Sequence, residues 1–596
     1  MDTIYVIDFG GQYAHLIANR IRRLNVYADI KHPDVKVDEL KDARGIILSG
    51  GPKSVYDKNS PKINKDILKM NVPILGLCFG HQLIVHEFGG SVKPGFKEYG
   101  LAKLVSLDKE NIFKGLADTE QVWMSHGDSV SKLPDHFKVI GKTEDCPYAA
   151  IHYPARDVFG FQFHPEVTHT THGMAMLKNF VDICACRKDW TIKGYLKDIS
   201  QKIKDQVKDR KVFMLVSGGV DSTVAFTMLN EILGEDRVVG LTIDNGFCRK
   251  NEIDQVRETM AQHNYHNLLV QDHSDTFLSN TAGVAEPEKK RKIIGETFIE
   301  VADSAMRKLG LDPEHWLLGQ GTIYPDTIES GGTKNAAVIK THHNRVDMVA
   351  DLVKKGLVVE PLVQLYKDEV RDLGIELGLP EEMVWRHPFP GPGLAVRTLC
   401  SDGEADDVSN VLKPETIELC AKQGLKVNVL PIRSVGVQGD VRSYAHPAVI
   451  YGKQDWKLYE TVSTSITNAH PAVNRVVAMI GSESLPDLKL KQAYLTKDRL
   501  DMLREVDAVV MDFLQENNLI RVIWQMPTVL LPLSSNGNKE SIVLRPVITR
   551  DFMTASFAEI PFPSLNKLAE DILGFDFIET VFFDITHKPP GTIEWE

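Results

Sequence analysis

Three short strings carry the chemistry of this chain. Gly76-Leu-Cys78-Phe-Gly80 closes an apolar run and opens a helical stretch. A strand, a sharp turn and a helix in that order project a nucleophile, and the positive end of the helix favours a thiolate. His164-Pro-Glu166 places an imidazole and a carboxylate two positions apart on a strand-like run, and so on one face. The carboxylate of Glu166 can orient His164, which then takes the thiol proton of Cys78. Gly50-Gly51-Pro52, at the end of another strand, can offer backbone N–H groups to an oxyanion.

The third string is Ser217-Gly218-Gly219-Val220-Asp221-Ser222, set between a buried strand and a helix. Its glycines let the backbone approach an anion, its successive N–H groups point inward, and the helix dipole adds to their field. The string lacks the lysine of a Walker A motif, which disfavours γ-phosphate transfer. A lone cysteine is usually inert core and a lone Ser-Gly-Gly an ordinary turn. Here the sets are complete and in order. They predict an enzyme that makes a nucleophile at one site and spends ATP at another.

The elements that must position these strings are those of an α/β protein. Ile4–Ile7, Gly45–Leu48, Val72–Leu75 and Phe159–Phe163 read as strands of a first sheet. Between Lys188 and Lys211, widely spaced Ile and Leu among Lys, Asp and Gln predict an exposed amphipathic helix that bridges to the next domain. A second, doubly wound βαβ series opens at Val212–Val216 and continues through Val238–Ile243 and Trp316–Leu318. Pro388-Phe-Pro-Gly-Pro-Gly393 is a stiff, punctuated segment that suggests a boundary. Beyond it, Val429–Ile432 recurs as Leu530–Leu533 and Val476–Ile480 as Val581–Ile585. We read this as a duplicated α+β unit of about 100 residues. The expected divisions are 1–187, 188–392 and 393–596.

The 596 residues are 43% hydrophobic and 25% charged, enough for several cores. A net charge of −12 disfavours a general nucleic-acid binder but leaves room for phosphate ligands held by local nests and a few cations. Seven cysteines, an odd and sparse set, point to a reducing compartment. There is no long apolar run and no basic, signal-like N-terminus, so a cytosolic protein without membrane contact is expected. Cys184-x-Cys186 lacks a second pair at zinc spacing, and His152, His169 and His172 form no ligand set. No structural zinc and no redox cofactor are expected.

Asp326-x-x-Glu329 and Lys340 lie in a Gly-rich stretch that reads as a mobile segment. Its carboxylates suit Mg²⁺ carried with ATP, and Lys340 suits charge on the transferring group. Lys367 opens an exposed charged helix. On residues alone the acceptor stays open, since many ligases combine ATP and glutamine.

Residues 1 to about 185 resemble the class I glutamine amidotransferases. The resemblance implies that Cys78 forms a glutamyl thioester, with His164 as base and Glu166 as its partner. It also implies that Gly51, Gln82 and Ser125-His126-Gly127 hold the glutamine, and that the site releases ammonia. The string Ser217–Ser222 resembles the pyrophosphate loop of ATP pyrophosphatases, with Ile243-Asp-Asn-Gly246 where adenine and ribose would lie. That likeness makes Lys367 a candidate phosphate contact. The strings His387–Gly393, Arg433–Asp440, Arg545–Thr554 and Lys588–Glu596 together look like those of the glutamine-hydrolysing GMP synthases. This family resemblance implies a ligase of purine biosynthesis in which Arg291, Asp440, Gln525, Lys588 and Glu594 bind xanthosine monophosphate (XMP). The duplicated tail resembles the enlarged form of some eukaryotic members rather than the single-copy tail of bacterial dimers. A monomer is therefore expected, with a homodimer as the alternative.

Overall fold

The computed structural model describes residues 1–312, 314–326, 355, 357–438, 441–549 and 555–596. Residues 1–199 make one compact unit, and the described residues from 200 onward make a second.

The first unit is built on a nine-stranded sheet in the order β2-β1-β3-β4-β9-β8-β7-β5-β6. Five strands are parallel: β1 (Thr3–Ile7), β2 (Tyr27–Lys31), β3 (Ala43–Leu48), β4 (Ile74–Leu77) and β9 (Val158–Phe161). The inner ones are apolar along their length because they are covered on both faces: Ile4, Val6, Ile46, Ile47, Ile74, Leu75, Val158 and Phe159 are fully buried. The other four are antiparallel: β5 (Ser91–Ser106), β6 (Thr119–Lys132), β7 (Lys138–Lys142) and β8 (Ala150–Tyr153). In such sheets ligands sit at the carboxyl ends of the parallel strands. The neighbours β3, β4 and β9 lead at those ends into Gly50-Gly51, Cys78 and His164. Past this sheet, the bridging helix spans Ile192–Val207. It buries Tyr195, Ile199, Ile203 and Val207 at a spacing of four, as its amphipathic pattern predicts.

The second unit contains a five-stranded parallel sheet in the order β12-β11-β10-β13-β14. Its strands are β10 (Lys211–Leu215), β11 (Val238–Asp244), β12 (Leu268–Asp272), β13 (Trp316–Gly319) and β14 (Val358–Val359). The chain starts in the middle strand and builds outward on both sides. The loop after β10 therefore sits at the topological switch point, where such sheets bind nucleotides.

A further seven-stranded sheet follows. Its main path runs Leu425–Val429, Val441–Gly452, Val473–Ile480, Ile578–Asp584, Glu540–Leu544, Thr528–Leu531. Each half has an antiparallel pair, a helix (Trp456–Ala469 or Phe562–Leu573) and a third strand parallel to the second. The two third strands meet antiparallel at the centre, where Ala478 pairs with Phe583. The segments that look repeated in the sequence are thus partners across a local two-fold.

One apolar core in this unit takes in Phe213 and Leu241 from the parallel sheet and Val476, Leu530 and Phe583 from the seven-stranded one. The punctuated segment between the two sheets is a packed seam rather than a spacer. Gly393 has φ +61°, a Cβ there would lie 2.3 Å from the Phe247 carbonyl oxygen, and Leu394 N–H donates to that oxygen at 2.7 Å.

Candidate active site

Cys78 stands between β4 and the helix Phe79–Glu87 with φ 49° and ψ −102°, a conformation an L-residue rarely holds. The sequence suggests that the flanking glycines supply the turn, yet neither Gly76 nor Gly80 has a positive φ. Their role is close approach. A Cβ on Gly76 would lie 2.5 Å from the Gly80 carbonyl oxygen, and one on Gly80 would lie 2.3 Å from that of Leu48. The helix can therefore press onto β3 and β4, with Gly80 N–H donating to Ser49 O at 3.1 Å. Cys78 takes the strain itself, and its sulfur comes to rest at the helix N-terminus.

Around the sulfur the contacts are specific. The thiol donates to Ser125 O at 3.5 Å, and Gln162 Nε2 donates to Sγ at 3.7 Å. His164 Nδ1–H donates to Glu166 Oε1 at 2.7 Å, with both residues buried. A Cβ on Gly50 would sit 3.3 Å from His164 Cε1 and 3.8 Å from Cys78 Cβ, so the glycine corner lies against both groups. Burial alone would push the His164 imidazole down. The Glu166 carboxylate, with hydrogen bonding and charge at Cys78, overrides it and holds the imidazole up at about 10. The arrangement favours the imidazolium, the form that exists after the thiol proton has moved. The backbone holds the ring in place: His164 N–H donates to Trp123 O at 3.1 Å, and Thr170 Oγ1 donates to His164 O at 2.6 Å.

Of the residues expected to hold glutamine, Ser125 touches the thiol through its carbonyl. Gln82 Nε2 donates to Asp128 O at 2.8 Å and to Gln162 Oε1 at 3.2 Å, which leaves its oxygen to offer. The buried His126 hydrogen-bonds Asp128 O through Nδ1 at 3.0 Å, and its Nε2 lies 3.4 Å from Glu98 Oε2. Gly51 packs against Phe9 and leaves no room for a side chain.

In the second unit the loop Ser217–Ser222 is braced from within. Ser217 N–H donates to Ser222 Oγ at 3.2 Å, Ser222 Oγ donates to Gly219 O at 3.1 Å, and Gly218 turns at φ +78°. The helix Val220–Leu233 starts inside the loop, so its first N–H groups and its dipole face any bound anion. Lys367 Nζ donates to Asp221 Oδ2 at 2.5 Å. Asp221 Oδ1 is buried with no hydrogen-bond partner among the described residues. Ile243, in β11, is buried beside the strand that feeds the loop, and Thr242 Oγ1 ties β11 to Val216 O at 2.9 Å. Arg386, which sequence reasoning missed, donates to the Gly218 carbonyl from a half-buried position and lies 3.3 Å from Glu252 Oε1. Gly321, also missed, lies beneath the loop: a Cβ there would sit 3.2 Å from Ser222 N. Its signal was its place just after β13, at the switch point.

The last nine residues thread into the seven-stranded sheet. Val437 N–H donates to Pro590 O at 2.7 Å and Val435 N–H to Trp595 O at 2.9 Å. The fully buried Arg475 donates to Asp584 Oδ2 (2.8 Å), Thr592 O (3.0 Å) and Glu594 O (2.8 Å). Gln525 and Glu594, far apart in sequence, meet here: Gln525 Nε2 donates to Glu594 Oε1 at 3.2 Å. Arg397 Nε and Nη2 grip the same carboxylate at 3.2 and 2.9 Å. Arg291 is paired with Glu288, which Arg442 also contacts at 2.9 Å. Lys588 joins Ala555 through a two-way backbone bridge. Lys290, beside Arg291, is fully buried against Glu596 at 2.6 Å, and burial pushes that carboxyl up in spite of the lysine.

Asp326 lies in a turn, where it accepts from Ile323 N–H at 3.2 Å. Glu329, Lys340 and Asp440 fall outside the described residues. Among the described residues no cluster of three His, Cys, Asp or Glu could hold a metal, and no helix is long and apolar enough to cross a membrane.

Fold and site together define a class I glutamine amidotransferase joined to an ATP pyrophosphatase. Residues 5–184 match the family profile described as glutamine amidotransferase class-I, residues 192–293 that of NAD synthase, and residues 512–595 that of the GMP synthase C terminal domain. A probable glutamine-hydrolysing GMP synthase of Leptospira interrogans is 46% identical, covering 100% of this chain and 99% of its own. The GMP synthases of Dictyostelium discoideum and Syntrophomonas wolfei are each 38% identical, again over 100% of this chain and over 94% and 99% of their own. The chain belongs to the glutamine-hydrolysing GMP synthase family, which are ligases. A solved structure of a putative GMP synthase subunit from Thermoplasma acidophilum is 37% identical, covers 31% of this chain and 94% of its own, and has a TM-score of 0.30.

Proposed function

We propose that this chain converts XMP to GMP, drawing nitrogen from glutamine and driving force from ATP. The observation that carries the reading is the buried Cys78–His164–Glu166 set at the ends of neighbouring strands, on one chain with a braced glycine loop at a switch point. His164 takes the thiol proton, the thiolate attacks the glutamine side-chain carbonyl, and backbone N–H groups of the Gly50-Gly51 corner are assigned to the oxyanion. Ammonia leaves, and water then releases glutamate from the thioester.

At the second site the N–H groups of Gly218 to Ser222 receive the pyrophosphate of ATP, with Ile243 beside the adenine. Mg²⁺ arrives with ATP as part of that substrate, and the unpartnered Asp221 Oδ1 suits it as one ligand. Lys367, held on Asp221, lies where it can follow charge onto the departing pyrophosphate. The C2 oxygen of xanthine is a poor leaving group. Adenylation by ATP, with release of pyrophosphate, turns it into a good one, and ammonia then displaces AMP. Gln525 and Glu594 suit base and ribose edges, and Arg291 and Lys588 suit the phosphate. Asp440, Asp326, Glu329 and Lys340 complete the assignment. Because ammonia is mostly protonated in neutral water, its transfer must be shielded from solvent.

We further propose divisions at 187 and 392, a cytosolic location, and a monomer in which the second tail repeat supplies what a partner subunit would otherwise bring. Product analysis with XMP, ATP, Mg²⁺ and glutamine tests the reading: GMP, AMP, pyrophosphate and glutamate should appear together. Cys78→Ala should abolish the glutamine-driven reaction and keep the ammonium-driven one. Loss of both in a folded variant refutes the two-site scheme, and amination of a nicotinate substrate in place of XMP refutes the acceptor.

A further inference from the structure

The segment from Arg386 to Arg397 touches two groups of residues that the proposed function uses separately. On the side of the pyrophosphate loop, Arg386 donates to Gly218 O, and Leu394 N–H donates to Phe247 O. On the side of the tail, Pro388 O accepts from Gln525 Nε2 at 2.9 Å, and Arg397 grips Glu594 with two nitrogens. The Phe389 ring joins the two, with the Arg249 guanidinium 4.8 Å and the Arg397 guanidinium 5.0 Å from its centre.

Within this strap Arg397 is singular. Its side chain is 0% exposed, whereas the Glu594 side chain it holds is 22% exposed. Its third nitrogen, Nη1, is buried without a hydrogen-bond partner among the described residues. A simple fastening of the tail does not account for the pair. Arg475 separately holds the Glu594 carbonyl and Thr592, Trp595 Nε1 donates to Asp584 Oδ2 at 2.9 Å, and Lys290 holds Glu596. With the backbone fixed elsewhere, Arg397 and Gln525 fix only the plane and the edge of the Glu594 carboxylate. A planar guanidinium does this by two parallel bonds, which an ammonium group cannot reproduce.

We infer that Arg397 is the positioning residue for acceptor recognition: it sets the Glu594 carboxylate, before substrate arrives, in the orientation that reads the acceptor's polar edge. This rests on the proposed roles of Glu594 and Gln525. Orientation fixed in advance saves the ordering that binding would otherwise require, so its loss appears in acceptor affinity ahead of turnover.

The test is ammonium-driven synthesis by the full chain, with XMP varied at saturating ATP and then ATP varied at saturating XMP. Arg397→Met should raise the KM for XMP about a hundred-fold, with a smaller change in kcat and little change in the KM for ATP. Arg397→Lys should fall between it and wild type. The double variant Arg397→Met, Glu594→Gln should be no worse than the worse single variant, because one residue acts through the other. A KM for XMP within about two-fold of wild type in a folded Arg397→Met variant overturns the inference, as do effects of the two substitutions that multiply. If Arg397→Met does not fold, Arg397→Lys decides by the same two-fold criterion. Absence of saturation by XMP in the wild-type enzyme overturns the acceptor reading itself.

Discussion

Glu166→Gln keeps the shape of the thiol site and removes one charge. The His164 imidazole, ordinarily near 6.5, is pushed down by burial, yet the Glu166 carboxylate and then Cys78 hold it at about 10. At about 1.4 kcal/mol per factor of ten, that preference for the imidazolium amounts to about 5 kcal/mol. A hydrogen bond to a charged group is worth about 1.5–3 kcal/mol, which predicts a loss of glutaminase kcat/KM of about ten- to a hundred-fold. Ammonium-driven synthesis should be untouched and serves as the internal control. In the variant, burial is less opposed and the imidazole should lose its proton at a lower pH than the wild-type ring does; histidine NMR followed through a pH series distinguishes the two. A pKa raised on folding gives stability that is full below 6.5 and is lost as pH rises through about 10. The wild-type melting temperature should therefore fall across that window more steeply than the variant's. Glutaminase within about three-fold of wild type, or a wild-type His164 that titrates near 6.5, refutes the reasoning.

Lys367→Met should lower ammonium-driven pyrophosphate release by about ten-fold or more and leave the glutaminase intact, since the lysine is held on Asp221 of the pyrophosphate loop. Unchanged release would remove Lys367 from the reaction. Gly80→Ala drives a Cβ to 2.3 Å from the Leu48 carbonyl oxygen, so it should cost glutaminase and at least about 2 kcal/mol in denaturant unfolding. Gly89→Ala, with φ +90° and open space, should cost only about 1 kcal/mol of backbone strain. Equal effects at the two positions would refute the close-approach argument. Asp584→Asn leaves Arg475 and Arg545 buried without their shared carboxylate. It should cost about 3–5 kcal/mol and expose the last nine residues to limited proteolysis. A protected tail would mean that the other contacts suffice.

The sequence by itself determined what neighbouring residues encode. A thiol between an apolar strand and a helix, a histidine and a glutamate on one face, and glycines before a helix dipole each lie in a few consecutive residues. Their closeness and the helix field follow from local order, although His164 and Glu166 lie in a turn after β9 rather than on the strand. The recurrence of Val476–Ile480 as Val581–Ile585 was legible for the same reason. Only the tertiary structure decided that these two strands pair at Ala478 and Phe583, and that Gly76 and Gly80 serve close packing while Cys78 bears the turn. It also decided that Pro388–Gly393, the expected boundary segment, packs on Phe247. Arg386, Arg397 and Lys290 carry no local signal of a role in the sequence. Their partners Gly218, Glu594 and Glu596 lie far along the chain, and the pairing of a buried charge leaves no periodic mark on either side. Packing decides it, because a guanidinium or ammonium taken out of water must find its counter-charge wherever the fold brings one.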